Sequence, residues 1–222
     1  MATALRILTV DDHRLIHRAL AAMIDAQPDM RVVGEASSGE EALEFIPALS
    51  PQLVLMDLDM PGMGGLAATE QILQRFPQVR VIVVSGNVHE PYPSRALGSG
   101  ARGFVAKDSE PEDILRAIRQ VAQGRRFISA EVAGYMAGLA SETQRSPFAQ
   151  LSGRELDVAL KIVAGHSTQE IAEMLAIHTN TVSSFRRRIF DKLKLRNDVE
   201  LTLAAFRHGL IQEGESAGFL LK

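Results

Sequence analysis

The sequence predicts a doubly wound α/β sheet of five strand–helix units, followed by an all-α domain of four helices. Three observations carry that expectation. Short apolar runs alternate with segments of helical periodicity through the first 124 residues. Strand-like runs end abruptly in polar residues of complementary kinds: Asp11-Asp12, Asp57, Ser85 and Lys107. Beyond residue 150 the strand-like runs stop and only helical patterns remain.

Arg6-Ile7-Leu8-Thr9-Val10 is the first expected strand, running into Asp11-Asp12. A helix over residues 15–26 follows, with Leu15, Leu20, Met23 and Ile24 as its expected apolar stripe. Met30 to Ala36 is the second strand. Ser38-Gly39-Glu40-Glu41 supplies a helix start, and Pro47 and Pro51 bracket the expected end. Leu53-Val54-Leu55-Met56 is apolar throughout, as a strand covered on both faces must be. It stops at Asp57, with Asp59 two residues later. Met60-Pro61-Gly62 then forces a turn, because proline fixes its φ and glycine admits conformations closed to other residues. The next helix carries Leu66, Ile72, Leu73 and Phe76. Val79 to Val84 and Arg102 to Ala106 are the fourth and fifth strands, and a helix from Glu110 to Gln123 closes the unit at about residue 124.

Residues 125–147 read as a linker containing a helix from Ser129 to Leu139, and Ser141 to Gln150 lacks apolar periodicity. Residues 148–211 read as the second domain and 212–222 as a tail without a derivable role. Ser152 and Glu155 form a capping-box pattern ahead of a helix carrying Leu156, Ala159, Leu160 and Val163. Ser167-Thr168-Gln169-Glu170 starts a short second helix. A tight turn leads through His178-Thr179 into a third, ending near Leu193, and a fourth runs from Asn197 to Leu210. A short helix, a tight turn and a longer helix are the pattern of a helix-turn-helix.

Composition narrows the chemistry. The 222 residues include no cysteine, which removes disulfides, thiolate metal sites and cysteine nucleophiles. The amino terminus meets Asp11-Asp12 before a signal-peptide core could form, and no apolar run approaches the roughly 20 residues that cross a bilayer. A cytoplasmic protein without membrane contact is expected. Residues 1–124 carry 11 Lys/Arg against 16 Asp/Glu, whereas residues 125–222 carry 13 against 11. Within 186–196, six basic residues face only Asp191. An acidic first half and a late basic cluster point to two tasks in one chain.

In a parallel sheet the polar strand ends share one edge, where open α/β sheets bind ligands. Carboxylates gathered there repel one another, so a hard cation is their natural occupant. Mg²⁺ takes oxygen ligands and favours phosphate-bearing partners. An aspartate beside such an ion can attack a phosphoryl group, and Lys107 with the Ser85 hydroxyl would hold phosphoryl oxygens. Taken singly, each residue has a plainer role: Asp11-Asp12 capping a helix, Ser85 in a turn, Lys107 in solvent. Their recurrence at successive strand ends favours a shared pocket. His13 and His17 flank the aspartates without ligand-like spacing and are expected to be solvated or packed.

At about 100° per residue, Val182, Phe185, Ile189 and Leu193 of the third helix in the second domain share a buried face. The opposite face carries Asn180, Ser183, Ser184 and Arg187, with Arg188 at its edge and Arg186 towards the core flank. An apolar back, small polar residues and a projecting arginine are what a helix reading the major groove needs. A solvated face with a charge run has the same composition, but the short helix and tight turn before it favour DNA. Lys192, Lys194 and Arg196 suit phosphates or solvent.

With the aspartate pair, LMDLDMPGMGG, VSG and GFVAK in place, residues 5–124 resemble a two-component response-regulator receiver domain. Residues 148–211 resemble the LuxR-type helix-turn-helix domain of the NarL/FixJ family, and RSPFAQLSGRELDVALKI and NDVELTLAAFRHGL are similar to the GacA-type global regulators. The resemblance implies a (βα)5 flavodoxin-like receiver and a phosphorylation-controlled transcription factor. It implies that Asp57 accepts phosphate from a sensor histidine kinase. Asp12, Asp57 and the main-chain carbonyl of Asp59 would hold Mg²⁺, with Asp11 assisting through water. Ser85 and Lys107 would carry the signal, with Phe104 as the aromatic switch. It also implies a homodimer on DNA when active and no enzymatic turnover beyond slow autodephosphorylation. Two departures stand out: Phe104 lacks a tyrosine's hydroxyl, and the proline-rich Asn87 to Pro93 segment delays the helix after strand four. Two other readings stay open. One is a DNA-binding regulator whose receiver answers to a bound partner. The other is an aspartate-nucleophile phosphohydrolase of the haloacid-dehalogenase kind, suggested by Asp57-x-Asp59, although that family sets its motif after the first strand.

Overall fold

In the computed structural model, which describes residues 4–88, 92–140, 146–208 and 210, six parallel strands form one sheet. Leu5–Val10 (β1) pairs with Met30–Ala36 (β2) on one side and Leu53–Met56 (β3) on the other. Arg80–Ser85 (β4), Gly103–Ala106 (β5) and Phe127–Ile128 (β6) extend it to the order β2-β1-β3-β4-β5-β6. The order reverses between β1 and β3, which opens a crevice at their carboxyl ends. Helices Arg14–Asp25 (α1), Gly39–Leu49 (α2), Gly65–Arg75 (α3), Tyr92–Gly98 (α4) and Pro111–Ala122 (α5) cover the sheet. Ile7, Leu53 and Leu55 pack with α1 and α5, while Leu8, Val54 and Met56 pack with α2 and α3. This is the two-residue alternation of strands buried on both faces.

The apolar stripe of α1 departs from the expectation only in its first turn. Leu20 and Ile24 are buried and Met23 packs beside them as expected, but Leu15 is 77% exposed and His17 takes the inward position. A histidine is tolerated there because its Nδ1 lies 3.0 Å from the buried Thr9 hydroxyl, which satisfies both polar groups. Helix α2 ends at Leu49, between Pro47 and Pro51 as expected, with Pro47 in its last turn.

The first residues read as linker form β6. Phe127 N–H donates to the Arg102 carbonyl and Ser129 N–H to the Phe104 carbonyl, each at 3.0 Å. Ala130–Ala140 (α6) follows. Residues 89–91 of the proline-rich segment, 141–145 of the linker and the tail 212–222 lie outside the described residues. Helix α4 begins late, at Tyr92.

A 3-10 turn at Pro147–Gln150 buries Phe148 and opens the second domain. Gly153–Val163 (α7), Thr168–Met174 (α8), Thr179–Leu193 (α9) and Asp198–Arg207 (α10) complete it. The Ser152 hydroxyl accepts the Glu155 N–H and the Glu155 carboxylate accepts the Ser152 N–H, a reciprocal cap. Glu155 also pairs with Lys192 at 2.6 Å, tying α7 to α9. Leu156, Ile162, Ile171, Val182, Ile189 and Leu201 form the core, which is continuous with Leu58, Leu66 and Tyr92 of the first domain. Among the described residues no helix is long and apolar enough to cross a membrane.

Candidate functional site

Val10 and Met56 are paired across β1 and β3, so Asp11 and Asp57 leave neighbouring strands at the same level. The Asp57 N–H donates to the Val10 carbonyl at 2.9 Å. Both carboxylates are only 2% exposed. Lys107, just past β5, places Nζ 2.9 Å from Asp11 Oδ2 and 2.8 Å from Asp57 Oδ2. Burial pushes the Asp57 carboxyl upward, and the Lys107 contact pulls it back only in part. Burial also opposes the Lys107 charge, but the Asp57 and Asp11 carboxylates outweigh it and hold the ammonium above its ordinary range. One cation therefore leaves the pocket short of positive charge.

Asp57 Oδ2 is buried and meets the Lys107 ammonium at 2.8 Å. One ligand atom from each of Asp11, Asp12, His13 and Asp57 can be chosen so that all lie within 4.8 Å of one another. A charge deficit and a cluster of oxygen donors fit a hard divalent cation. The loop beyond Asp57 folds tightly back. Asp59 N–H lies 3.3 Å from Asp57 Oδ1, and Gly65 N–H donates to the Leu58 carbonyl at 3.1 Å. A Cβ at Gly65 would lie 1.7 Å from the Asp57 carbonyl oxygen, so only glycine permits this approach.

Asp11, Asp12, Asp57 and Lys107 thus come together as expected residues of one pocket. The Asp59 side chain points outward and is exposed. Ser85 lies at the end of β4 beside Ala106. Its carbonyl accepts the Lys107 N–H, and its buried hydroxyl accepts the Asn87 N–H at 3.0 Å. Phe104 is fully buried, in the same apolar cluster as Val83, Tyr92 and Ala96. His13 was expected to be solvated or packed, and it is exposed beside the pocket. Its Nδ1 lies 2.7 Å from Asp12 Oδ1 and 3.2 Å from Asp11 Oδ1, and its N–H donates to Asp11 Oδ1 at 2.8 Å. Its place is the N-cap of α1, directly after the aspartates.

On α9, Val182 and Ile189 are buried, while Phe185 and Leu193 are half-buried. Asn180, Ser183, Ser184, Arg187 and Arg188 are exposed. The Ser183 and Ser184 hydroxyls donate back to the Thr179 and Asn180 carbonyls at 3.1 and 2.9 Å, which keeps that face low. The Arg187 side chain is 86% exposed, with a loose 3.9 Å contact to Asp191. Arg188 lies over the Phe185 ring at 4.6 Å. Arg186 pairs with Asp198 and stacks on Phe190, serving the domain rather than the reading face.

Residues 7–119 match the response regulator receiver domain, and residues 149–205 match the bacterial regulatory proteins of the luxR family. The chain is 40% identical over 209 residues to the response regulator GacA of Pseudomonas aeruginosa, covering 93% of this chain and 98% of that protein. This chain is a LuxR-type response regulator. The response regulator is also 39% identical over 208 residues to UvrY of Escherichia coli K12, covering 93% and 95% of the two chains. A LuxR-family two-component response regulator from Aurantimonas shares 32% identity with a TM-score of 0.61, over 63% of this chain and 100% of that one. RcsB of Salmonella enterica bound to promoter rprA shares the fold, at 23% identity and a TM-score of 0.66 over 91% and 98% of the chains. The response regulator acts in phosphorylation-dependent control of transcription, with a receiver and a DNA-binding domain in one chain.

Proposed function

We propose that Asp57 is the phospho-acceptor, that a sensor histidine kinase is its donor, and that phosphorylation frees the output domain to bind DNA as a dimer. The observation that supports this most is a buried carboxylate, incompletely neutralised, held by Lys107 at the strand-order reversal of the sheet. An Asp57 carboxylate oxygen attacks the phosphorus of a phosphohistidine. The P–N bond breaks as the P–O bond forms, and the imidazole leaves with a proton. Asp12, Asp57 and the Asp59 carbonyl would hold Mg²⁺, with Asp11 acting through water. When bound, the ion neutralises charge on the phosphoryl oxygens. Lys107 then transfers its contact from the bare carboxylate to the phosphoryl group, and the Ser85 hydroxyl donates its proton to a phosphoryl oxygen. Phe104 responds by repacking, having no hydroxyl to re-bond. The chain is an acceptor that loses its phosphate slowly, not a turnover enzyme, and works in the cytoplasm.

On the output side Asn180, Ser183, Ser184 and Arg187 face base edges, and Arg188 meets phosphate. Val199, Leu203 and Phe206 project from one side of α10 as exposed apolar side chains, a face that a second copy would cover. DNA selection from a random pool tests the reading, run with and without phosphoramidate plus Mg²⁺. Two-fold symmetric sites should be enriched only with the donor, and Asp57→Asn should enrich none and resist labelling. Stoichiometric labelling of Asp57→Asn would overturn the assignment.

A further inference from the structure

Lys107 covers one edge of the carboxylate cluster and leaves another open. Its Nζ meets Oδ2 of both Asp11 and Asp57, so Oδ1 of each carboxylate is turned to other neighbours. Asp57 Oδ1 has the Asp59 N–H at 3.3 Å. Asp11 Oδ1 faces His13, whose main-chain N–H donates to it at 2.8 Å. The His13 ring closes the second edge, with Nδ1 2.7 Å from Asp12 Oδ1 and 3.2 Å from Asp11 Oδ1. Lysine and histidine therefore lie against opposite oxygens of the Asp11 carboxylate.

The spacing on the histidine side is that of neighbouring ligands on one ion. Bonds of about 2.1 Å in an octahedron put adjacent donors about 3.0 Å apart and opposite donors about 4.2 Å apart. The 2.7 and 3.2 Å separations from Nδ1 straddle the first value. Donors from all four of Asp11, Asp12, His13 and Asp57 fit within 4.8 Å of one another. A plain hydrogen bond from Nδ1–H to Asp12 also accounts for the 2.7 Å contact. Two further features favour a ligand. The ring stands at the N-cap of α1 yet makes no capping bond, so its orientation does nothing for the helix. It is also 65% exposed, so a solvated ion can reach it at little desolvation cost.

We propose that His13 is a nitrogen ligand of the divalent cation held at Asp12 and Asp57, and that it turns the pocket's preference from Mg²⁺ towards first-row transition ions. The inference rests on the cation pocket of the proposed function. A set of oxygens alone suits Mg²⁺, which gains little from a nitrogen and keeps its waters. Imidazole adds affinity for the transition ions, increasingly from Mn²⁺ to Ni²⁺. His13 ligates through a bare Nδ1 and carries its N–H on the solvent-facing Nε2. The charge deficit around Asp57 is then offset by whichever ion the supply provides. Phosphoryl acceptance thus depends on transition-metal supply as well as on the donor.

Calorimetric titration of the full chain with Mg²⁺ and with Ni²⁺, at one pH and ionic strength, tests this, together with electron spin echo spectra of the Mn²⁺-loaded protein. The parent should bind Ni²⁺ more tightly than Mg²⁺. His13→Gln should lose at least about tenfold in Ni²⁺ affinity, since even removing a partner that orients a ligand costs that much, and far less in Mg²⁺ affinity. His13→Ala should repeat the pattern. The parent Mn²⁺ spectrum should show nitrogen modulation that both variants lack. Equal losses for the two ions mean a merely structural role for the ring and overturn the proposal. Nitrogen modulation that survives in His13→Gln comes from another histidine and overturns it too. Asp12→Asn tests the pocket separately. If it binds both ions like the parent, the ions sit elsewhere and the cation pocket itself is overturned. If it loses both while His13→Gln keeps its Ni²⁺ affinity, the pocket stands and the ligand role of His13 falls.

Discussion

Raising the pH from 6 to 8 should loosen the two domains. The Asp157 side chain is 15% exposed where α7 meets the receiver. Burial there pushes its carboxyl up to about 7; Arg154, Lys161 and Arg95 oppose the shift and Asp59 adds to it. Tyr92 faces the same spot, its hydroxyl raised by burial and by the Asp157 and Asp59 charges. Once released into water, Asp157 returns to an ordinary carboxyl near ~3.9. The docked state therefore binds more protons than the released one. Docking is strongest below the free value, weakens as pH rises towards about 7, and levels off above it. Between pH 6 and 8 this amounts to a roughly tenfold loss in the docking constant, ~1.4 kcal/mol. Scattering or sedimentation at constant ionic strength measures it. Histidines titrate in the same window, so Asp157→Asn is the control: lacking an ionisable group, it should stay docked at both pH values. A parent indifferent to pH, or a response that survives in Asp157→Asn, would falsify the role given to this carboxyl.

Lys107→Ala leaves Asp11 and Asp57 facing each other without their bridging cation. The cost should be about 2–3 kcal/mol in urea unfolding without divalent ions, below the ~3–5 of a fully buried pair because the lysine side chain is 24% exposed. Saturating Mg²⁺ should restore part of it, and an equal loss with and without Mg²⁺ speaks against a shared cation pocket. Arg187→Ala should relax sequence preference, since one bidentate base contact contributes about 1–3 kcal/mol of discrimination. Arg188→Ala should instead weaken all sequences alike and lower the salt slope by about 0.9. Titrations on selected and scrambled sites separate the two, and the reversed pattern means that α9 is rotated from its assigned orientation.

The pocket was legible because its signal is chemical: three carboxylates and a lysine at strand ends need one another wherever a parallel sheet brings those ends together. The strands were legible because runs such as Leu53 to Met56 admit few other environments. Leu15 misled because the stripe of α1 was phased from its first apolar residue, whereas the fold seats polar His17 inward against Thr9. The sixth strand escaped because Phe127–Ile128 is too short to show a period. The domain contact left no pattern to read. Its close approaches are at Gly62, Gly64 and Gly153 and at the carbonyl of Leu175, so they depend on side chains that are absent.

The sixth strand also sets how strongly the domains must attract. It fixes the start of the connecting segment to β5, and α6 continues from it to Ala140. The described chain resumes at Ser146, so residues 141–145 alone separate α6 from the output domain. Fully extended, that stretch reaches only about 20 Å. A partner tethered so closely is present at an effective concentration of millimolar order or higher. A contact that would bind separate molecules with a Kd of about 0.3 mM, ~5 kcal/mol, is then largely formed within the chain. An unpaired nitrogen on each of Arg154 and Arg95 is tolerable on those terms, and a tenfold change in strength moves the population from mostly closed to mostly open. Cleavage within residues 141–145 should leave two pieces that scarcely associate at micromolar concentration.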